Sequence, residues 1–349
     1  MPPRKRGGKV KRAAPPRAGH PNLDALPDDV LHHVLSFLPA QEAVRTCVLT
    51  RRWRHLWKSA MGLRICAART MKRHLRINNG WEPWLGLGNL PLVSQNVKRL
   101  KLGCVQLNDS FLDFSSCLAL EVLEFDCCQF LDCHRISSQS LKFLSFRNQF
   151  DYERISRTHI YAPNLISLWL EASDGWIPLL ERMPSLVVAV VKIKFSDDSY
   201  CLDCEDEDCS CYPVHGDTVG TMVLQGLSEA QSLVLWSDIR ESIFSRDLKC
   251  CPIFTNLKTL SLNEYWCMPG EFSSLTCILE HSPVLEKLTL QLFCKEPKSK
   301  VEMRGSPDTT ERSNAISEHF KIVDVKCEVV DEKVPNVLEF LSKHSICKL

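Results

Sequence analysis

The sequence lacks long apolar runs. The longest, Leu186 to Val191, has six residues, whereas a membrane-spanning helix needs about 18 or more. The opening MPPRKRGGKV also lacks the apolar core of a secretory signal. We therefore expect neither membrane insertion nor secretion, and we place the protein in the nucleus, the cytoplasm or both.

The motifs of the common enzyme classes are missing as well. The sequence contains no Walker-type phosphate loop, no H-E-x-x-H and no G-x-S-x-G. Gly86 and Gly88 in WLGLGNLP lack the third glycine of a dinucleotide-binding loop. These absences predict a non-catalytic protein that needs no cofactor.

What is present is an ordinary globular composition with an unusual cysteine content. The chain has 349 residues, 44% of them hydrophobic, a net charge of +1 and 18 cysteines. This length predicts about two domains. Because thiols stay reduced inside cells, we expect most of the cysteines to pack as small apolar side chains rather than to form disulfides.

Residues 1–20 form a basic tail, with seven Lys or Arg and no acidic residue among Pro, Gly and Ala. We expect this tail to be disordered, since it has no apolar face to bury. It is either an inert solvated tail or a nuclear import signal, with nucleic-acid contact as a third and disfavoured alternative.

Residues 21–66 predict a three-helix module. Pro27 is suited to a helix start, and the apolar residues from Val30 to Leu38 recur at helical spacing. A second helix is predicted after Pro39, and Trp53, Leu56 and Trp57 lie on one face of a third. So small a module has more apolar surface than it can hide, which is typical of a partner-binding unit.

The segment LPDDVLHHVLSFLPAQEAVRTCVLTRRWRHLWKS closely resembles the F-box motif of plant F-box proteins. This resemblance implies docking to a Skp1-type adaptor, and through it to a cullin, in an SCF-type ubiquitin ligase. The docking face that it implies consists of Leu26, Pro27, Val30, Leu31, Val34, Leu35, Leu38, Val48, Leu49, Trp53 and Trp57. The alternative for each residue is packing inside the module; contact is favoured for Leu26, Pro27, Leu31 and Trp53.

Residues 90–295 contain a short repeat with apolar residues at positions i, i+3 and i+5. Successive starts are 23, 21, 24, 21, 44, 27 and 28 residues apart, and we interpret 44 as two periods. This period fits a leucine-rich repeat, in which stacked units lay their strands in parallel. The eight units start at Val97, Leu120, Leu141, Leu165, Leu186, Ala230, Leu257 and Leu285.

The C-terminal residues 296–349 predict a cap for the repeats. Residues 295–313 are predicted to be a loop, 320–327 a strand and 334–341 a short helix. The segment from His319 onward resembles, more loosely, the FBD-like end of plant F-box proteins with leucine-rich repeats. The predicted fold class is an α+β multidomain protein with a small three-helix F-box, an irregular α/β leucine-rich-repeat solenoid and this cap.

One cysteine group stands apart within an acidic insert at residues 196–216. Cys201, Cys204, Cys209 and Cys211 give C-x2-C-x4-C-x-C. Four thiolates at such spacing are weak candidates for a zinc site, but the C-x-C end and the surrounding carboxylates favour an unstructured acidic insert, with redox sensing as a further alternative. Our prediction therefore includes no metal.

The predicted function is a substrate-recognition subunit of an SCF ubiquitin ligase, with an unknown protein target held by the repeat face. Trp169 and Trp236 are candidate target contacts, although burial explains them equally well. One alternative is a repeat protein that sequesters a partner without ubiquitylating it. Another, disfavoured, is a nuclear nucleic-acid binder.

Overall fold

The structure is a computed structural model that describes most of residues 26–343. The described residues are 26–46, 49, 52–56, 59–66, 85–86, 92–130, 133–150, 158–173, 178–194, 223–237, 244, 247–267, 272–292, 299–304, 320–327 and 333–343. The basic tail and the acidic insert lie outside these residues. None of the described helices combines the length and apolarity needed to cross a membrane.

Three short helices come first: α1 (Asp28–Phe37), α2 (Ala40–Arg45) and α3 (Trp53–Leu56). Pro27 caps α1, and its carbonyl accepts the amides of Val30 and Leu31. Two aspartates in the first turn complement the helix dipole. The helices enclose a small core of their own, formed by Leu31, Leu35, Ala43, Trp53, Leu56 and Ala60.

The rest of the described chain is mainly β-structure. In chain order the strands are β1 (Gly62–Cys66), β2 (Leu85–Gly86), β3 (Arg99–Gly103), β4 (Val105–Leu107), β5 (Val122–Asp126), β6 (Gln129–Phe130), β7 (Arg135–Ser137), β8 (Phe143–Phe150), β9 (His159–Tyr161), β10 (Ser167–Ser173), β11 (Leu179–Leu180), β12 (Val188–Lys194), β13 (Ser232–Ser237), β14 (Thr259–Asn263), β15 (Lys287–Gln291), β16 (Ser299–Arg304) and β17 (Ile322–Cys327). The further helices are α4 (Asp109–Leu112), α5 (Val223–Gly226), α6 (Phe272–Glu280) and α7 (Lys333–Lys343).

Eleven strands form one open sheet in the order β1-β3-β5-β8-β10-β12-β13-β14-β15-β17-β16. Each neighbouring pair is parallel except β16 and β17, which are antiparallel. The order follows the chain almost without exception, so each strand is laid beside the previous one. The described chain is thus a mixed α/β structure with few helices, and its main sheet is not a closed barrel.

The eight predicted strand cores pair in the register that the repeat requires. Leu100 lies opposite Leu123, which lies opposite Leu144, and position i+3 continues in this way to Leu288. Every i+3 and i+5 side chain of the eight units is at most 1% exposed. The apolar period therefore correctly identified which residues face the interior.

The same turn precedes most of these strands. The amide of the residue at position i donates to the carbonyl three residues earlier, as from Leu120 to Cys117 and from Leu165 to Ala162. Position i is itself buried in all eight units. Where this hydrogen bond is present, position i closes the turn that leads into the strand.

Short strands and helices connect the main strands. Two three-stranded parallel sheets, β2-β4-β6 and β7-β9-β11, accompany the earlier units, whereas α5, α6 and two 3-10 helices, Leu248–Cys250 and Glu264–Cys267, lie in the later ones. Buried side chains tie successive units together here: the Cys133 thiol donates to the carbonyl of Leu107 (3.3 Å), and the Thr158 hydroxyl donates to that of Cys133 (2.8 Å).

The structure corrects three predictions. Strand β1 is an additional unit, with Leu63 and Ile65 paired to Leu100 and Leu102. The 44-residue spacing does not represent two strand periods, because β12 pairs directly with β13. The predicted loop at 295–313 contains β16. The predicted strand at 320–327 and helix at 334–341 are confirmed as β17 and α7.

Candidate interaction surfaces

An exposed apolar strip runs along α1. Leu26, Val30, Val34 and Phe37 are 36%, 42%, 46% and 66% exposed. The spacings of four and three residues place Val30, Val34 and Phe37 on one side of the helix, and Leu26 lies just before its first turn. Val44 and Leu49, 41% and 55% exposed, add apolar surface elsewhere on the module. Large apolar side chains grouped on one helix face are typical of an interaction site.

The predicted docking residues divide into two groups. Leu26, Pro27, Val30, Val34 and Leu49 are exposed, and Leu38 is half-buried. Leu31, Leu35 and Trp53 lie in the module's own core with 1%, 1% and 5% of their surface exposed, so they pack against neighbouring helices instead of offering a surface. Val48 and Trp57 lie outside the described residues.

For Leu31 and Trp53 the structure shows the packing that was the alternative to contact, and their contact with an adaptor stays a prediction. Leu31 and Val30 are adjacent in sequence and equally apolar, but helical geometry turns one inward and the other outward. Phe37, the most exposed apolar residue of α1, was not among the predicted residues. Its spacing from Val30 and Val34 was the signal that would have identified it.

An ion pair holds the starts of α1 and α3 together. The Arg52 guanidinium donates to one carboxylate oxygen of Asp28 through both Nε (3.0 Å) and Nη2. The side chains of Arg52 and Asp28 are 34% and 59% exposed, so the pair contributes at most about 1 kcal/mol. Its geometric effect is to orient the N-terminal end of the apolar strip relative to α3.

The outward face of the main sheet carries a row of alternating cations and indoles. The Arg147 guanidinium lies 4.9 Å from the Trp169 ring centre, and the Lys192 ammonium lies 5.1 Å from that ring and 3.9 Å from the ring of Trp236. These cation–π contacts span β8, β10, β12 and β13. We call these four residues the cation–indole row.

The two tryptophans are half-buried, so burial alone does not account for them, and their contact with a target stays a prediction. They lie on β10 and β13, on either side of β12. Arg147 and Lys192 contact the ring of Trp169, and Lys192 contacts the ring of Trp236. Neither indole N–H has a hydrogen-bond acceptor among the described residues. Trp and Arg are the side chains that most often dominate binding at protein interfaces, which makes this row the most distinctive feature of the sheet face.

The cysteines are less uniform than predicted. Cys128 and Cys267 are buried, as expected, and burial raises the pKa of each thiol to about 12. Cys250 is exposed, which contradicts a packing role, and Cys251 and Cys277 are half-buried.

Two further cysteines have an unusual backbone conformation. Cys104 and Cys127 follow strands with φ angles of 52° and 54°, a left-handed conformation that only small or flexible residues adopt readily. Cys294 and the acidic group Cys201, Cys204, Cys209 and Cys211 lie outside the described residues.

Comparison with known proteins identifies the helical module. The F-box domain family matches residues 23–63. F-box/LRR-repeat protein At3g59200 of Arabidopsis thaliana is 25% identical over 397 aligned positions that cover 82% of this chain and 74% of that protein. An FBD-associated F-box protein of the same plant, At3g12840, is 51% identical over 41 residues, 12% of this chain and 23% of its own.

A further match covers only a short region. F-box/LRR-repeat protein At5g02700 of Arabidopsis thaliana is 60% identical over 35 residues, which are 10% of this chain and only 8% of that protein. No solved structure matches the chain. The chain therefore carries an F-box domain, and its resemblance to plant F-box proteins with leucine-rich repeats is confirmed.

Proposed function

We propose that this protein is the non-catalytic, substrate-recognition subunit of an SCF-type ubiquitin ligase. The observation that carries the proposal is the exposed apolar strip of α1 within a matched F-box domain, because F-box domains are generally Skp1-binding modules. The strip would bind a Skp1-type adaptor, and the adaptor would connect it to a cullin.

The rest of the chain would hold the target. We infer that the parallel strands form a leucine-rich-repeat solenoid at about residues 90–295, with residues 296–349 as its cap. The units start 21 to 28 residues apart, except for the 44 residues between the units of β12 and β13. The outward face of the sheet then forms one extended surface for a protein target. The cation–indole row is its best candidate contact, and the basic tail remains a candidate import signal for a nuclear and cytoplasmic protein.

The energetics of the strip can be estimated. Fully burying a Val or Phe side chain stabilises by about 1.5–3 kcal/mol, so covering the exposed parts of Val34 and Phe37 contributes about 3 kcal/mol together. Replacing both by Ala should therefore weaken adaptor binding about 100-fold. The reason is loss of apolar contact alone, since both side chains point away from the core of the module.

The test is binding of a purified plant Skp1-type adaptor to the full chain, by calorimetry or by co-purification. Val34→Ala/Phe37→Ala should lose binding, whereas Leu118→Ala, which removes a side chain that is 68% exposed on another part of the chain, should bind like the original protein. Undiminished binding by the double variant would contradict the proposed docking face.

A second measurement separates a ligase subunit from a sequestering protein. The full chain isolated from plant cells should bring down both the adaptor and a cullin; adaptor without cullin would favour sequestration. Proximity labelling with the original protein and with Trp169→Ala/Trp236→Ala should then identify target proteins that depend on the cation–indole row. Identical labelled sets would exclude the row from target binding.

A further inference from the structure

Two consecutive units bring three metal-ligand side chains together at a place that no prediction singled out. Cys251 follows the 3-10 helix Leu248–Cys250, Cys277 lies on α6, and His281 follows the end of α6. One ligand atom from each of the three lies within 4.8 Å of the others. Cys277 and His281 are four residues apart, so they share one face of the helix, and that face meets Cys251.

The thiols of this group make sulfur hydrogen bonds to each other and to nearby carbonyl groups. The Cys277 thiol lies 3.6 Å from the carbonyl of Leu248 and 3.9 Å from His281 Nδ1, and the Cys251 thiol lies 3.7 Å from the carbonyl of Pro252. His281 Nδ1 lies 2.8 Å from the carbonyl of Cys277. All three side chains are half-buried, so an ion can reach them from solvent.

We propose that Cys251, Cys277 and His281 bind a divalent zinc ion. Two thiolates and one imidazole are a ligand set that Zn²⁺ prefers in tetrahedral geometry. With zinc–sulfur distances of about 2.3 Å, the sulfurs of such a site lie about 3.8 Å apart. Because the two sulfurs lie within 4.8 Å of one another, they need to approach by no more than about 1 Å.

The surroundings of His281 fit this role. A metal-binding imidazole generally donates its second ring N–H to a carbonyl or carboxylate, which fixes the ring and the tautomer. With its proton on Nδ1, His281 donates to the carbonyl of Cys277 and keeps the lone pair of Nε2 for a metal. A water molecule completes the tetrahedron at the solvent side.

Binding of an ion by Cys251 and Cys277 requires that both thiols lose their protons. Zinc replaces both thiol protons, and two protons leave to solvent for each ion bound. The bound ion would join the segment before β14 to helix α6, and it would stabilise that part of the repeat array.

The experiment uses the full chain with Cys201, Cys204, Cys209 and Cys211 all changed to Ser, so that the acidic group cannot supply thiolates. Under reducing conditions, metal-free protein is titrated with Co²⁺, and thiolate-to-cobalt absorption is recorded. One equivalent of Co²⁺ should bind and be displaced by Zn²⁺. Zn²⁺ should also raise the unfolding temperature relative to chelator.

Variants locate the site. Cys251→Ser and Cys277→Ser should each abolish the absorption and the zinc-dependent shift, and His281→Ala should weaken Co²⁺ binding at least 10-fold. Cys104→Ser, a half-buried cysteine elsewhere, is the matched control and should bind like its parent. The proposal is overturned if the parent gives no thiolate–cobalt absorption, or if any folded variant of Cys251 or Cys277 retains it. Circular dichroism establishes folding, and Cys251→Ser removes a ligand outside any helix, so at least one variant should remain interpretable.

Discussion

The junction between the helical module and the sheet has almost no free space. Gly62 opens β1 against Ser36 of α1, and a Cβ atom at Gly62 would lie 2.8 Å from Ser36 Cβ and 3.1 Å from its carbonyl oxygen. Gly62→Ala must therefore displace α1. Overpacking of this kind costs about 1–3 kcal/mol, partly offset by about 0.5–1 kcal/mol from the stiffer unfolded chain. We expect the free energy of unfolding to fall by about 1–2 kcal/mol.

A double-mutant cycle tests whether this contact is the cause. Ser36→Gly removes the atom at 2.8 Å but leaves the carbonyl, so Ser36→Gly/Gly62→Ala should be less destabilised than the sum of the two single variants by about 1 kcal/mol. Ser36→Ala keeps the Cβ atom and serves as the control that gives no relief. Urea unfolding, followed by tryptophan fluorescence and circular dichroism, measures each stability. Additivity within about 0.5 kcal/mol would refute the reasoning.

Three further predictions concern the repeat array. Phe125 and Phe146 stack with ring centres 5.0 Å apart, so Phe125→Leu and Phe146→Leu should show a coupling energy of about 0.5–1.5 kcal/mol in urea unfolding; zero coupling would mean that the stack adds nothing beyond burial. Cys127→Gly should unfold at a urea concentration equal to or above that of the original protein, since it relieves a left-handed φ angle, whereas Cys127→Val should lose about 1–2 kcal/mol. Cys128 and Cys267 should resist iodoacetamide at pH 8 in the folded protein, while exposed Cys250 is modified, as mass spectrometry will show. Because burial raises their pKa from 9.0 to about 12, the unfolded chain releases their protons first. Their contribution to stability is complete below pH 9 and is lost as the pH rises towards 12.

The sequence predicts the main strands well because burial leaves a strict pattern. At positions i+3 and i+5 a polar residue would lie in a core with no water, so those positions stay apolar even where the rest of the unit varies. Strand β1 was not predicted because it lies within residues 21–66, which the sequence assigned to the helical module. Strands of two residues, such as β6, are too short to show any alternation, so the shorter sheets were not predictable.

The docking face shows a different limit. Helical periodicity identifies α1 and its apolar side, but it does not say which edge of a wide apolar stripe packs inward. Val30 and Leu31 are both apolar, and only the packing of the three helices shows that Leu31 is buried while Val30 is exposed. The burial of Trp53 in the same core is likewise visible only in the folded module. The Cys251–Cys277–His281 group was equally hidden, because two of its members are 26 residues apart and meet only when units stack.

Strand β1 makes the helical module continuous with the sheet. Ala60 packs in the core of the helices, while Leu63 and Ile65, only a few residues later, pack against the core of the sheet. Arg64 also pairs with Pro39, between α1 and α2. A rigid connection matters for the proposed ligase role: a target on the sheet face would keep a fixed orientation to an adaptor on α1. Ubiquitin transfer gains from such fixed geometry, since the effective concentration of a tethered group falls when its tether lengthens or loosens. The crowded contact at Gly62 would then serve function as well as stability, because displacing α1 would move the adaptor relative to the bound target.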